Sequence, residues 1–153
     1  MAPLIALVAS FSFIRLIGLI GWSYFDGWHP SLQAAVAVMF LLTASAHWGK
    51  RRPDLIQMVP PSLPQREWIV TATGWLEIAG AIGILIPATS QAASICLALL
   101  LLAMFPANIR AAREKLTIGG KPVSKLLVRT LLQLIFLAAV LFASPDLFSL
   151  LGV

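Results

Sequence analysis

The sequence predicts an all-α membrane protein, a bundle of five transmembrane helices forming a single domain over residues 1–153. Three observations carry the prediction. Hydrophobic residues make up 59% of the chain and charged residues 11%, with a mean hydropathy of +0.92. A water-soluble domain covers its surface with about 25% charged residues. The apolar residues fall in five continuous runs, each close to the ~20 residues that carry a helix across a ~30 Å hydrocarbon core. The basic residues between those runs sit in two loops only. Spanning strands would instead show segments of about 10 residues alternating apolar and polar. The continuity of the runs therefore selects helices, which satisfy their own backbone polar groups in lipid.

The first run is Pro3–Tyr24, closed by Asp26-Gly27 and Pro30. A cleaved signal peptide wants a basic start and an uninterrupted apolar core. Residues 2–14 carry no basic side chain and Arg15 interrupts the run, so it reads as a retained span. The second run, Ser31–Trp48, ends in His47 and Trp48 and is followed by Pro53, Pro60, Pro61 and Pro64. The segment Asp54–Pro64, DLIQMVPPSLP, is too short and proline-rich to span. It either lays Leu55, Ile56, Met58 and Val59 on the membrane interface or caps the bundle as an ordered loop. The third run, Glu67–Ile86, contains TGWLEIAGAIG and closes at Pro87. Gly74, Ala79, Gly80, Ala81 and Gly83 thin its surface so that neighbours approach closely, which turns Glu77 toward the bundle interior. Gly18 and Gly21 are expected to do similar work near Arg15.

The fourth run is Gln91–Ile109. Pro106 either kinks it, freeing the carbonyl of Leu102, or ends it near Phe105. Cys96, the single cysteine, is read as a small packing residue, since one thiol makes neither a disulfide nor a redox pair. Gly119, Gly120 and Pro122 break the chain before the fifth run, Ser124–Ala143.

Charge sets the expected orientation. Lys50, Arg51, Arg52 and Arg66 occupy the second loop, and Arg110, Arg113, Lys115, Lys121 and Lys125 the fourth; the first loop, the third loop and the C-terminal tail have no Lys or Arg. The positive-inside rule puts the second and fourth loops, and the N-terminus, on the cytoplasmic side and the C-terminus outside. Trp22, Tyr24 and Trp28 then mark the outer interface and Trp48 and Trp68 the inner one, with Trp75 packed inside a helix. A net charge of +5 gathered in loops points to a membrane surface and not to nucleic acid, which would need a basic stripe on a folded face.

Polar groups within hydrocarbon are costly and mark candidate sites. They are Arg15, Glu77, Arg129 and Gln133, with His47 and Asn108 near helix ends. At ~1.5 Å per residue, Arg15 lies about 18 Å and Glu77 about 15 Å from the inner ends of their helices, depths that match for an Arg15–Glu77 ion pair. Such a pair either fixes helix register or leaves Glu77 as a proton-exchanging group. Arg129 and Gln133 share a helix face at about 8 and 14 Å from the inner end. With His47 and Asn108 they form the wall of an inward-opening ligand pocket beneath Glu77, unless Arg129 snorkels to the interface and His47 simply sits there beside Trp48. No phosphate-binding loop, H-E-x-x-H or G-x-S-x-G is present. His29 and His47, expected on opposite sides, share no metal, so no metal site is predicted.

The segments AHWGKRRPDLIQMVPPSLP, TGWLEIAGAIGILIP and MFPANIRAARE, followed by GGKP and LLVRTLLQLIF, resemble the DoxX family of small bacterial membrane proteins over roughly residues 35–143. That resemblance implies a four-helix core to which the first helix is an addition, in a bacterial cytoplasmic membrane. It matches Glu77, Pro106, Asn108 and Arg129 most directly. It also implies a subunit of, or accessory to, a quinone-linked redox system, with quinone as the expected diffusible cofactor and redox subunits or further copies of the chain as partners. Two other functions stand beside it: a small-molecule or lipid binder or transporter, and a structural or assembly subunit without chemistry. Whether the chain is an enzyme stays open at this stage.

Overall fold

The computed structural model describes residues 1–144, and within them the chain is mostly helical. Helix α1 spans Ala2–Ile20, α2 Trp28–Ser45, α3 Arg52–Met58, α4 Arg66–Gly83, α5 Ser90–Arg113 and α6 Leu126–Phe142. A 3-10 turn, Ser23–Asp26, joins α1 to α2, and a hairpin of β1 (Thr117–Ile118) and β2 (Lys121–Pro122) joins α5 to α6. By length and apolarity alone, α1 and α5 are candidate membrane spans, and α6 is a shorter apolar helix. Arg66, Glu67 and Glu77 dilute the apolar character of α4.

Local chemistry sets the boundaries, and most differ from the expected ones by a few residues. The first helix stops at Ile20, because Gly21 takes φ 144°, a conformation side chains disfavour. The second starts earlier, at Trp28, because Pro30 falls in its first turn, where the missing N–H has no helical partner anyway. Pro106 does not end α5, which runs on to Arg113. The hairpin turns on Gly119 and Gly120, both at positive φ (59° and 74°), as a two-residue turn demands.

Contacts between successive helices give an antiparallel bundle. Thr43 and His47 of α2 meet Glu77 and Val70 of α4. Leu97 of α5 fills the space beside Gly80 of α4. Asn108 and Leu101 of α5 meet Arg129 and Gln133 of α6. The ring closes where Gln33 Nε2 of α2 donates to the carbonyl of Ala143 after α6, at 3.0 Å. α2 is the axis of this core, with Ala35, Val36, Ala37, Met39, Phe40 and Ala44 nearly inaccessible. α1 lies outside the ring against α2. Its end fits closely: a Cβ on Gly18 would sit 2.2 Å from the carbonyl oxygen of Phe25. Gly21, by contrast, has open space around it and serves as the helix stop.

The two basic loops share one end of the bundle. Arg110 donates to the carbonyls of Gln57 (2.7 Å) and Val59, and the Gly119 N–H donates to Asp54 at 2.8 Å. Asp54–Pro64 therefore caps the bundle: α3 stands on α4 and α5, with Met58 and Val59 buried beneath it. At the same end, Arg110 Nε donates to Glu114 at 2.8 Å and holds that carboxyl below its ordinary value of 4.5. A carboxyl with a lowered folded pKa stabilises the fold above its ordinary pKa, and that contribution disappears as pH falls through the folded value. The Glu114 side chain is expected to titrate below 4.5 by NMR in wild type and to return to the ordinary range in Arg110→Gln.

Two expectations are corrected on the helix surfaces. Trp75 is 60% exposed and packs edge-on against Trp48 (5.3 Å) instead of filling a helix interface. Cys96 is exposed on α5. The tail expected on the outer side falls outside the described residues.

Candidate functional site at the buried His47–Glu77 pair

The expected Arg15–Glu77 pair does not form. Arg15 lies only five residues before the end of α1, about 8 Å along the axis, within reach of the turn beyond it. Its guanidinium bonds the carbonyls of Phe25 and Asp26 and sits 3.7 Å from the Asp26 carboxylate. Matching depth was a necessary condition for the predicted pair, but the nearer acid at the helix end satisfies the cation first.

Glu77 is paired instead with His47. His47 Nε2 stands 3.6 Å from Glu77 Oε1, and both side chains are buried, at 5% and 4% exposed. Thr43 Oγ1 donates to the other carboxyl oxygen at 2.9 Å. His47 therefore does not sit at the interface. It is drawn in because Gly74 leaves room: a Cβ there would lie 2.8 Å from the His47 Cβ. Val70, Gly74 and Glu77 lie along one face of α4, so the same face supplies the anchor, the gap and the acid.

The arrangement fixes a proton. His47 Nδ1 is 2.6 Å from the carbonyl oxygen of Val70, an acceptor only, so Nδ1 carries a hydrogen. The Nε2 edge then faces a carboxyl oxygen. With both groups deprotonated, a lone pair would face a buried carboxylate, which burial makes costly. The pair holds one proton, as imidazolium with carboxylate or as imidazole with carboxylic acid. The backbone around it is braced by Arg52, whose guanidinium donates to the His47 carbonyl (2.8 Å), to Thr71 Oγ1 (2.9 Å) and to the Glu67 carbonyl (3.3 Å). Arg52, Glu67, Trp68 and Thr71 line a surface hollow of about 280 Å³ at the basic end. Nothing in the sequence singles out Thr43 or Arg52; an arginine among four loop cations carries no mark that distinguishes it.

The other polar residues form a second group. Arg129 Nη1 donates to Asn108 Oδ1 across the α5–α6 seam, so Arg129 has a partner within the bundle. Gln133 is buried and donates to the carbonyl of Leu101 at 2.7 Å, one residue before the carbonyl that Pro106 leaves without its helical donor. Among the described residues, no hydrogen bond or ion pair joins Arg129, Asn108 or Gln133 to His47 or Glu77. The expected single pocket wall is thus two separate groups on two different helix seams.

A four-helix ring with one outer helix and a buried imidazole–carboxylate pair is the class these observations define. Within that class the chain belongs to the family described as a domain of unknown function, DUF8561, which matches residues 36–144. The match begins inside α2, includes both polar groups, and leaves α1 with Arg15 outside. No curated protein and no solved structure matches the chain. The resemblance to the DoxX family is thereby corrected, because the family found is DUF8561 and DoxX is not. The motifs behind it follow from membrane-like chemistry in general: prolines at helix ends, small-residue faces, tryptophans and basic residues beside apolar runs.

Proposed function

We propose that this chain is an integral membrane protein of five spans, α1, α2, α4, α5 and α6, with its N-terminus and both basic loops on the cytoplasmic side of a bacterial inner membrane. We propose further that it serves as an accessory subunit of a quinone-linked redox system, in which the His47–Glu77 pair exchanges a proton with the reaction. Support for the spans comes from the outer surface. Ile5, Phe13 and Leu19 on α1, Leu41 on α2, Trp75 and Ile82 on α4, Leu99 and Leu102 on α5, and Leu131 and Leu134 on α6 are all exposed. Apolar side chains around the whole circumference suit lipid and exceed the scattered patches of a soluble surface. The gathering of nine basic residues at one end supports the orientation.

The observation that carries the chemical part is the Val70 carbonyl on His47 Nδ1. It commits Nε2 to the Glu77 side and leaves one exchangeable proton inside the bundle. Quinone reduction consumes protons with electrons, and a buried one-proton pair is a group that can pass a proton on. The test is to tag the chain in its native membrane, isolate it gently, and identify companion subunits and bound quinone by mass spectrometry. Quinone-dependent oxidation by membranes carrying Glu77→Gln is measured alongside. Companion oxidoreductase subunits and a several-fold loss of rate are expected. Unchanged quinone-dependent rates with no oxidoreductase companion would refute the redox part and favour a structural subunit, whose pair serves only to set helix register.

A further inference from the structure

We propose that Arg129 and Asn108 form a site on the α5–α6 seam for the phosphate of an anionic phospholipid of the cytoplasmic leaflet. Each of the other partly buried arginines already has its demand met. Arg15 has Asp26, Arg110 has Glu114, and Arg52 spends its guanidinium on two carbonyls and a hydroxyl. Arg129 is different. Among the described residues no carboxylate lies within ion-pair distance of it, its hydrogen-bond partner is the neutral Asn108 amide, and its buried Nε has no partner. A desolvated cation without a counter-ion is an expensive arrangement unless an anion completes it.

The geometry says where the anion belongs. Asn108 accepts from Arg129 through Oδ1, which leaves its amide N–H groups as donors beside the remaining guanidinium N–H groups. Two neighbouring donor groups, one of them charged, match the oxygens of a phosphate. Lys125, the residue at the N-cap of α6 four positions before Arg129, adds a second positive charge at this end of the helix. Arg129 is three residues beyond the first residue of α6, about 5 Å of helical rise, at the depth where lipid phosphates border the hydrocarbon. With two cations and, among the described residues, no carboxylate within ion-pair distance of Arg129, the site favours a headgroup of net negative charge over a zwitterionic one, whose ammonium it repels. The proposal rests on the membrane-spanning part of the function proposed above and is independent of its redox part.

The experiment uses the full chain in a neutral detergent and follows thermal unfolding as phosphatidylglycerol, phosphatidylcholine or inorganic phosphate is added at constant ionic strength. Phosphatidylglycerol is expected to raise the midpoint, and the other two are not. Losing a charge-assisted bond to the phosphate weakens phosphatidylglycerol binding about tenfold in Arg129→Gln. Arg51→Gln, an exposed cation at the same end, keeps the wild-type response. Asn108→Asp supplies Arg129 with an internal counter-ion, so its basal midpoint rises and its lipid response is lost. That variant decides the matter even if Arg129→Gln does not fold. A wild-type response in Asn108→Asp, or an equal response to phosphatidylcholine, overturns the site. An equal response to inorganic phosphate assigns it to a free anion and overturns the lipid source. A chain that stays soluble without detergent defeats the membrane reading itself, whereas a detergent-held chain indifferent to phosphatidylglycerol defeats only this site.

Discussion

Glu77→Ala is expected to cost about 3–5 kcal/mol of stability, the loss seen when one partner of a buried ion pair is removed and the other is left uncompensated. The substitution strands His47 Nε2 inside the bundle and takes the acceptor from Thr43, both of which are tied to Glu77 in the native fold. Glu77→Gln should behave very differently. Its amide donates toward Nε2 and its carbonyl accepts from Thr43, so the contacts survive with neutral groups and the cost falls to about 1 kcal/mol. The proton, however, is gone. Thermal unfolding in detergent measures the stability of each variant. Infrared difference spectra over a pH series measure the proton, with a band from the pair in wild type that is absent in Glu77→Gln. His47→Ala should destabilise about as much as Glu77→Ala. The double variant should lose less than the sum, because the second deletion removes a group already left without its partner. Additive losses would mean that the two side chains do not sense one another, and the one-proton pair would have to be abandoned.

Much of the architecture was legible in the sequence because it follows from a few insistent signals. The five apolar runs became five long helices, and the basic loops came together at one end through Arg110 and Asp54. The thin face of the third run correctly turned Glu77 inward. What failed was the identity of partners. Depth was counted from helix ends as if those ends were level, and they are not. α4 begins about 12 Å of helical rise before Gly74, the residue that His47 touches just after α2 has ended. The first turns of α4 thus project past α2 and carry α3 on one side, while Trp68 stays exposed. His47, which the sequence offers either as pocket wall beneath Glu77 or as an interfacial residue beside Trp48, is for that reason buried opposite Glu77. Arg15 failed for a related reason: a long side chain near a helix end is satisfied by the loop that follows, at a sequence separation no periodicity describes.

Arg129 and Asn108 both belong to the pocket wall expected from the sequence, but they meet each other and not His47 or Glu77. Sharing an end of the bundle is a weaker condition than sharing a seam. His47 and Glu77 occupy the α2–α4 seam, and Arg129 and Asn108 the α5–α6 seam, on opposite sides of the four-helix ring. One seam is closed by mutual satisfaction of its groups and the other is not. That difference assigns a proton to the first and an external anion to the second.

The seam between α4 and α5 supplies the other large effect. Gly80→Leu is expected to prevent the native bundle from closing. Even a bare Cβ at this position would lie 2.3 Å from Leu97 Cδ2 and 2.5 Å from its Cγ, and Leu97 is only 1% exposed. In an unconstrained helix Gly→Ala gains up to about 1 kcal/mol from propensity. Here overpacking of about 1–3 kcal/mol acts against it, so Gly80→Ala should be destabilising on balance. Leu97→Ala alone opens a cavity and should cost about 2–5 kcal/mol. The added methyl of Gly80→Ala partly fills that cavity, so the double variant should be more stable than Leu97→Ala by itself. No such rescue exists at Gly18, where the obstacle is the backbone carbonyl of Phe25 and not a side chain that can be trimmed. Because Glu77 lies one turn before Gly80 on the same face, parting α4 from α5 should also disturb the His47 contact. Unfolding midpoints of the four variants, with His47 imidazole NMR as a local reporter, check the argument. A native-like midpoint for Gly80→Leu would mean that α4 and α5 are not in contact as described, and the ring of four helices would have to be redrawn.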